Sequence, residues 1–205
     1  MDQPICGLVI HSLCWRARPM KSIISFFLRF TCKEYSPLQR AISMVPGILI
    51  FLILSPLCII LFSSYLSSFI PIHAPRMLEL FIMTGALLIS IPLMTWGLVE
   101  LWRRGKGSPA PIAPTTSLVT TGPYSWCRNP IELGTNIYFL ALGIYFDGLL
   151  TGLLSMIFGL ILGIAYIKII EEKEMQLRFG QAYAEYLHSV PFMAFPFLQR
   201  RVVQQ

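Results

Sequence analysis

Two polar clusters bracket an otherwise apolar stretch of the chain. The first, Arg128-Asn129-Pro130-Ile131-Glu132, closes a run that opens at Gly122-Pro123-Tyr124; the second is Glu171-Glu172-Lys173-Glu174. An Asn before a Pro, with a Glu three residues after the Asn, is the pattern of a helix start: Asn at the N-cap, Pro at the first helical position, and Glu completing a capping box. The unpaired amides and partial positive charge of such an end suit a bound carboxylate. The acidic cluster has the opposite preference. Consecutive helical positions point about 100° apart, so at most one of Glu171 and Glu172 faces water, and the one turned inward at a membrane boundary needs a cation. A site that takes a carboxylate on one side and a cation on the other fits a zwitterionic amino-acid group. The plainer reading of the acids is a solvated collar paired with Lys168, Lys173 and Arg178 at helical spacing.

The elements that must position these clusters are membrane helices. The chain has 205 residues, of which 55% are hydrophobic and only 13% charged, with a mean hydropathy of +0.67. That composition excludes an ordinary soluble domain. The excess of Lys and Arg, 16 against 10 acidic residues, is scattered among apolar spans, so positive-inside topology explains it better than nucleic-acid binding. Five cysteines without a C-x-x-C pair and three histidines far apart in sequence indicate neither a metal site nor a disulfide framework. Cys127, inside the first cluster, is a thiol open to alkylation if it is exposed.

In chain order, residues 1–40 hold two apolar pieces too short to span, interrupted by Arg16, Arg18, Lys21, Arg29 and Lys33, a pattern for a segment lying on the membrane surface. No basic residue precedes the first piece, which disfavours a cleaved signal peptide; Met20 and Met44 are alternative starts. Residues 41–102 form a second part, with spans over about 41–70 and 77–101 and kinks expected near Pro46, Pro56 and Pro92. Residues 103–205 form the third: a proline-rich connector, a helical hairpin and a C-terminal region. The hairpin predicts a short third span over about 130–146, a tight turn at Asp147-Gly148, and a fourth span over about 149–170. Its helix continues past the bilayer, because no breaker occurs before Gly180, and Gln181 to His188 reads as a further short helix. Gly148-x-x-x-Gly152 and Gly159-x-x-x-Gly163 predict close helix approach. The expected fold is thus an all-α polytopic membrane protein of about four spans. With both termini on one side, every Lys and Arg except Arg76 shares that side, which predicts cytoplasmic termini and a cytoplasmic site in a bacterial inner membrane or an ER-type membrane.

S-adenosylmethionine carries a zwitterionic amino-acid group and a sulfonium cation besides. The sequence Leu118-Val119-x-x-Gly122-Pro123-Tyr124-x-x-x-Arg128-Asn129-Pro130-x-x-x-Gly134, followed by Glu171-Glu172-x-x-x-x-Leu177-x-Phe179-Gly180-x-x-Tyr183-x-x-Tyr186 and Val190-Pro191, resembles the isoprenylcysteine carboxyl methyltransferase and phospholipid methyltransferase family. The resemblance implies a polytopic enzyme that uses S-adenosylmethionine to methylate a lipophilic acceptor from the bilayer, either isoprenylcysteine carboxylate-like or phospholipid amine-like. It implies cofactor contacts from Tyr124, Arg128, Asn129, Pro130, Glu171 and Glu172, with Tyr183 and Tyr186 closing the pocket, and it requires no metal. Two positions depart from the family pattern: its usual His is Asn129 here, and its usual Tyr two residues after the proline is Glu132. Arg128 and Glu132 are the catalytic candidates, Glu132 as the group that takes a proton if the acceptor is an amine. Two other readings stay open: an NADPH-dependent sterol or steroid reductase, whose C-terminal segment is similar, and a non-catalytic member of the same fold.

Overall fold

The computed structural model describes residues 37–70, 72–105 and 115–193. Most of the N-terminal surface segment, the middle of the connector and the C-terminal tail lie outside the described residues. Among the described residues the structure is helical, without strands. Helices α1 (Pro37–Ile48) and α2 (Ser55–Ser67) are joined by a π-helical stretch, Leu49–Leu54, bracketed by Pro46 within α1 and Pro56 in the first turn of α2. Helix α3 (Arg76–Glu100) continues through Pro92 and ends in a π-helical turn, Leu101–Gly105. After the connector, a 3₁₀ turn (Gly122–Ser125) leads to α4 (Pro130–Phe146). Helix α5 (Leu149–Tyr166) runs back through a third π-helical turn, Ile167–Glu171, into α6 (Glu172–Phe179), and α7 (Gln181–Ser189) follows.

Among the described residues, three helical stretches are long and apolar enough to cross a membrane: Val45–Ser67, Arg76–Gly105 and Leu149–Phe179. The last two have 30 and 31 residues, roughly 45 Å at 1.5 Å per residue, against a hydrocarbon core of about 30 Å. Their charged ends therefore project beyond it. Helix α4, at 17 residues, is the shortest of the hairpin pair and the most enclosed, packed between α3 and α5 with α2 against α5. Outward-facing residues of the long helices are apolar and exposed, among them Leu61, Phe62, Leu88 and Ile161. This is the reverse of a water-soluble surface and suits hydrocarbon.

Glycine sets the hairpin spacing, though by a different pairing from the one its sequence spacing predicts. Gly148 lies in the turn with φ +117, a conformation that only glycine adopts easily. Gly152 packs instead on Gly143: a Cβ on Gly143 would stand 2.6 Å from the Gly152 Cα. Farther along α5, Gly159 and Gly163 do not admit a backbone. They leave room for the side chains of Asn136 and Glu132.

The turn end of the bundle is tied by polar contacts. The Glu79 carboxylate, buried at 8% exposure, accepts the Leu149 N–H at 2.9 Å and pairs with Arg76 at 3.3 Å. It thereby satisfies an orphan amide at the start of α5. Asp147 accepts hydrogen bonds from Thr151 at 2.7 Å and Ser67 at 3.0 Å, joining α2 to the hairpin.

Candidate functional site

At the opposite end, the loop before α4 and the helical extension of α5 face each other. Arg128 reaches Glu172, Nη1 to Oε1 at 3.3 Å, with both side chains mostly buried. Lys168 adds a second cation to the same oxygen at 2.6 Å. The two cations lie over the ring of Phe192, at 5.5 Å for Arg128 and 4.7 Å for Lys168, a cation–π arrangement that fixes both. The loop is also held through its backbone: the Arg128 N–H donates to the Pro191 carbonyl at 3.1 Å, and Asn129 Nδ2 donates to the Phe192 carbonyl at 2.9 Å.

That last bond corrects the capping expectation. Asn129 occupies the N-cap position and Pro130 opens the helix, but the Asn129 side chain makes no cap bond. It is turned outward to the 190–193 segment. Glu132, expected to close the capping box, is turned into the hairpin, where Asn136 Nδ2 donates to its Oε1 at 2.8 Å. The local signal was right about where the helix starts and wrong about what its side chains do, because a tertiary partner outcompetes a local one.

Glu171 sits in the π-helical turn and faces the cavity rather than the Arg128 loop. Among the described residues no hydrogen bond or ion pair holds it. Consecutive helical positions diverge by about 100°, so that Glu172 is tied to the Arg128 loop while Glu171 lines the cavity. Both are partly buried, and two of the pairings that the plainer reading expects do form, Glu172 with Lys168 and Glu174 with Arg178. Glu174 and Arg178 pair at 3.3 Å and also line the cavity. Tyr186 donates its hydroxyl to the Tyr124 carbonyl at 2.7 Å, and its ring lies 6.3 Å from that of Tyr183. Burial, and after it the Glu172 and Glu171 carboxylates, holds the Tyr183 phenol well above its usual range. Burial and then Glu171 do the same for Tyr124. These phenols are neutral donors at physiological pH, not bases. Cys127 is fully buried, so the expected route to alkylation is closed.

The structure brings Tyr124, Arg128, Asn129, Pro130, Glu132, Glu171, Tyr183 and Tyr186 to the wall of one cavity of about 530 Å³, with Glu172 just behind Arg128. That volume falls in the range of small-molecule sites. Each π-helical segment contributes to it, through Phe51 and Leu52, Leu101, and Ile167 and Glu171. One end of the cavity is charged. The other is walled by apolar residues of the first span and α3, of which Phe51 and Ile91 are also exposed on the outer surface.

Four participants escaped the sequence reading. Phe192 follows the Val-Pro pair but carried no signal of its own. Asn136 did carry one, as a polar residue four positions after Glu132 within an apolar run. Glu100 was unremarkable in sequence, yet it accepts the Thr121 hydroxyl at 2.5 Å and pairs with Arg104, tying the end of α3 to the loop. Thr121 joins the site through that bond and through its carbonyl, which accepts the Tyr124 N–H at 3.1 Å.

Arg128 Nε is buried without a partner, and Glu171 has no ion pair among the described residues, although the Arg178 charge acts on it. A leftover donor and a leftover carboxylate across one cavity fit the carboxylate and ammonium of an amino-acid group, so the residues present suit S-adenosylmethionine. Residues 81–182 match the sequence model of the phospholipid methyltransferase family, from within α3 to the start of α7. No curated protein matches the chain, and no solved structure does. Over residues 81–182, which supply most of the cavity's lining, the chain belongs to the phospholipid methyltransferase family.

Proposed function

We propose that the protein is an S-adenosylmethionine-dependent membrane methyltransferase acting on a lipophilic acceptor. The observation that carries this reading is one cavity with two unlike ends: unsatisfied Arg128 Nε and unpaired Glu171 at one, apolar walls that reach the lipid-facing surface at the other. Arg128, fixed by Glu172, would take the cofactor carboxylate, and Glu171 its ammonium or sulfonium charge. Tyr124, Asn129 and Pro130 shape the loop beneath it, and Tyr183 and Tyr186 close the side away from the bilayer. When bound, the cofactor supplies an electrophilic methyl on a positively charged sulfur. The chain's own residues then contribute alignment and exclusion of water, and no metal is needed.

Of the two acceptor types, the amine-like one fits this cavity better than the carboxylate-like one. Glu132 lines it with no cation beside it among the described residues, whereas Glu174 is matched by Arg178 and Arg128 is kept for the cofactor, so an acceptor carboxylate next to Glu132 would be repelled. An amine loses one proton as its nitrogen gains the methyl, and Glu132 is the group that takes it; Arg128 and Glu132 are the catalytic candidates in this scheme. In the same reading α4 is a fourth span, residues 41–102 form the acceptor side, residues 103–205 form the cofactor side, and the site and both termini face the cytoplasm.

The test is differential ligand stabilisation of the purified protein. A ligand at 100 times its Kd adds about 2.7 kcal/mol to the folded state, which S-adenosylhomocysteine should show as a raised melting temperature while NADPH leaves it unchanged. The reverse pattern would replace the methyltransferase with a reductase, and no shift with either would identify a member that has lost the cofactor. Incubation with methyl-labelled S-adenosylmethionine and a total lipid extract then identifies the labelled acceptor.

A further inference from the structure

Glu132 stands apart from the other charges of the cavity. Arg128 is matched by Glu172, and Glu174 by Arg178; Glu171 faces the cofactor side. Glu132 has no cation among the described residues, and its fixed partner is an amide. Asn136, one turn further along α4, spends one nitrogen on two bonds to it, at 2.8 Å to the Glu132 carbonyl and 2.8 Å to Oε1. Asn136 is 1% exposed, and its Oδ1 is buried with no partner. Leaving such an acceptor unsatisfied costs about 1–3 kcal/mol, and a leucine there would avoid the cost. The residue therefore does something that packing alone does not require.

Helix α5 is cut to accommodate this pair. A Cβ on Gly159 would lie 2.5 Å from Asn136 Oδ1, and a Cβ on Gly163 would overlap Glu132 Oε1. Two glycines one turn apart thus form a notch that seats the amide and the carboxylate side by side. An amide donor fixes a carboxylate without neutralising it, whereas a Lys or Arg at the same place would cancel its charge.

We propose that Asn136 is a positioning residue that, with the Gly159–Gly163 notch, presents the Glu132 carboxylate as the anionic pole against which the amine head of a long-chain acceptor docks. The acceptor's chain then lies along the apolar wall at Phe51, Leu52, Ile91 and Leu98, which line the same cavity. This assignment rests on the methyltransferase reading and its amine-like acceptor, and deepens it by naming the residue that orients Glu132.

The experiment measures binding rather than turnover. The full-length protein in phosphatidylcholine nanodiscs is titrated with hexadecylamine and with hexadecanol, which shares its chain and lacks its charge, and separately with S-adenosylhomocysteine. The wild type should prefer the amine by at least tenfold. Glu132→Gln should abolish the preference, Asn136→Leu should reduce it severalfold, and the double variant should be no worse than Glu132→Gln, because Asn136 acts through Glu132. Gly163→Ala serves as an independent variant should Asn136→Leu fail to fold: it displaces only the mobile end of Glu132 and should also reduce the preference. S-adenosylhomocysteine affinity should stay within twofold throughout. Additive losses in the double variant, or a preference untouched by Asn136→Leu and by Gly163→Ala, would overturn the positioning role. Affinity for S-adenosylhomocysteine without an amine preference overturns the proposal alone. An amine preference without any such affinity overturns the acceptor role together with the methyltransferase reading.

Discussion

The two ends of the α4–α5 hairpin are both polar, and they differ in how completely their groups are paired. At the turn end, Glu79 has Arg76 and the Leu149 amide, and Asp147 has Thr151 and Ser67. At the loop end, Glu172 is shared by two cations while Arg128 Nε, Glu171 and Asn136 Oδ1 are left over. Unmet hydrogen-bonding capacity in a buried setting is costly. Two buried serine hydroxyls in the turn-end half, Ser63 and Ser155, also lack a partner, so the contrast lies in the charged groups: the turn end pairs each of its carboxylates and the loop end does not, which separates structure from function along a single pair of helices. The turn end holds the helices together; the loop end is shaped for something to enter.

The largest effects should follow from breaking the loop end. Arg128→Ala and Glu172→Ala each strip a partner from a mostly buried charge pair, and truncating one side of such a pair at a binding site costs about 2–5 kcal/mol. S-adenosylhomocysteine affinity, measured by calorimetry, should fall about 100-fold or more in both. Membrane insertion should be unaffected, since neither change removes an apolar residue from a span. If both variants bind as the wild type does, the leftover groups are not a cofactor site and the contrast between the ends loses its functional meaning.

The reciprocal change is Glu79→Ala at the turn end. It removes the acceptor for the Leu149 amide and the partner of Arg76, and an unsatisfied buried donor costs about 1–3 kcal/mol. The protein should melt at a lower temperature while its affinity for S-adenosylhomocysteine stays unchanged. A loss of affinity here would mean that the two ends are coupled through α4 and are not separable as drawn.

A smaller effect probes how firmly the loop end is built. Tyr186→Phe deletes the hydroxyl that donates to the Tyr124 carbonyl at 2.7 Å and leaves the ring in place. A neutral hydrogen bond contributes about 1 kcal/mol, so S-adenosylhomocysteine affinity should weaken roughly fivefold. A change as large as that of Arg128→Ala would instead make Tyr186 a direct contact of the ligand.

How much of this was legible in sequence follows from the range over which each signal acts. The helix start at Pro130, the turn at Asp147-Gly148, the run past Ile170 and the stop at Gly180 are local events, set by proline, by glycine at positive φ and by the absence of breakers. All of them read directly. That the two clusters meet was accessible, because a hairpin must bring its ends together; that Arg128 pairs with Glu172, 44 residues away, was not. What failed was the assignment of side chains that had both a local and a distant option. Asn129 could cap its own helix or bind the Phe192 carbonyl, and Glu132 could complete the box or bind Asn136. Sequence displays the local option only. The glycine spacings failed for the same reason: Gly159 and Gly163 match a helix-packing motif, and nothing in α5 alone reveals that α4 fills the space with an amide and a carboxylate.

The mildest test concerns Asp147, where complete pairing predicts a dependence on acid. The hydroxyl of Thr151, first among several donors, favours the ionised carboxylate and holds Asp147 below its ordinary value, near 3.9 in model peptides. A carboxyl group whose pKa is lower folded than unfolded stabilises the fold above its unfolded pKa, and that contribution disappears as pH falls through the folded value. The melting temperature in detergent should therefore drop as pH is lowered below about 4, and Asp147→Asn should flatten part of that drop by replacing the charge with a group that does not titrate. The side chain is exposed, so the effect should be the smallest of the four. An unchanged acid slope in Asp147→Asn would mean that water, and not Thr151 and Ser67, satisfies this carboxylate, leaving Glu79 alone to mark the turn end as the closed one.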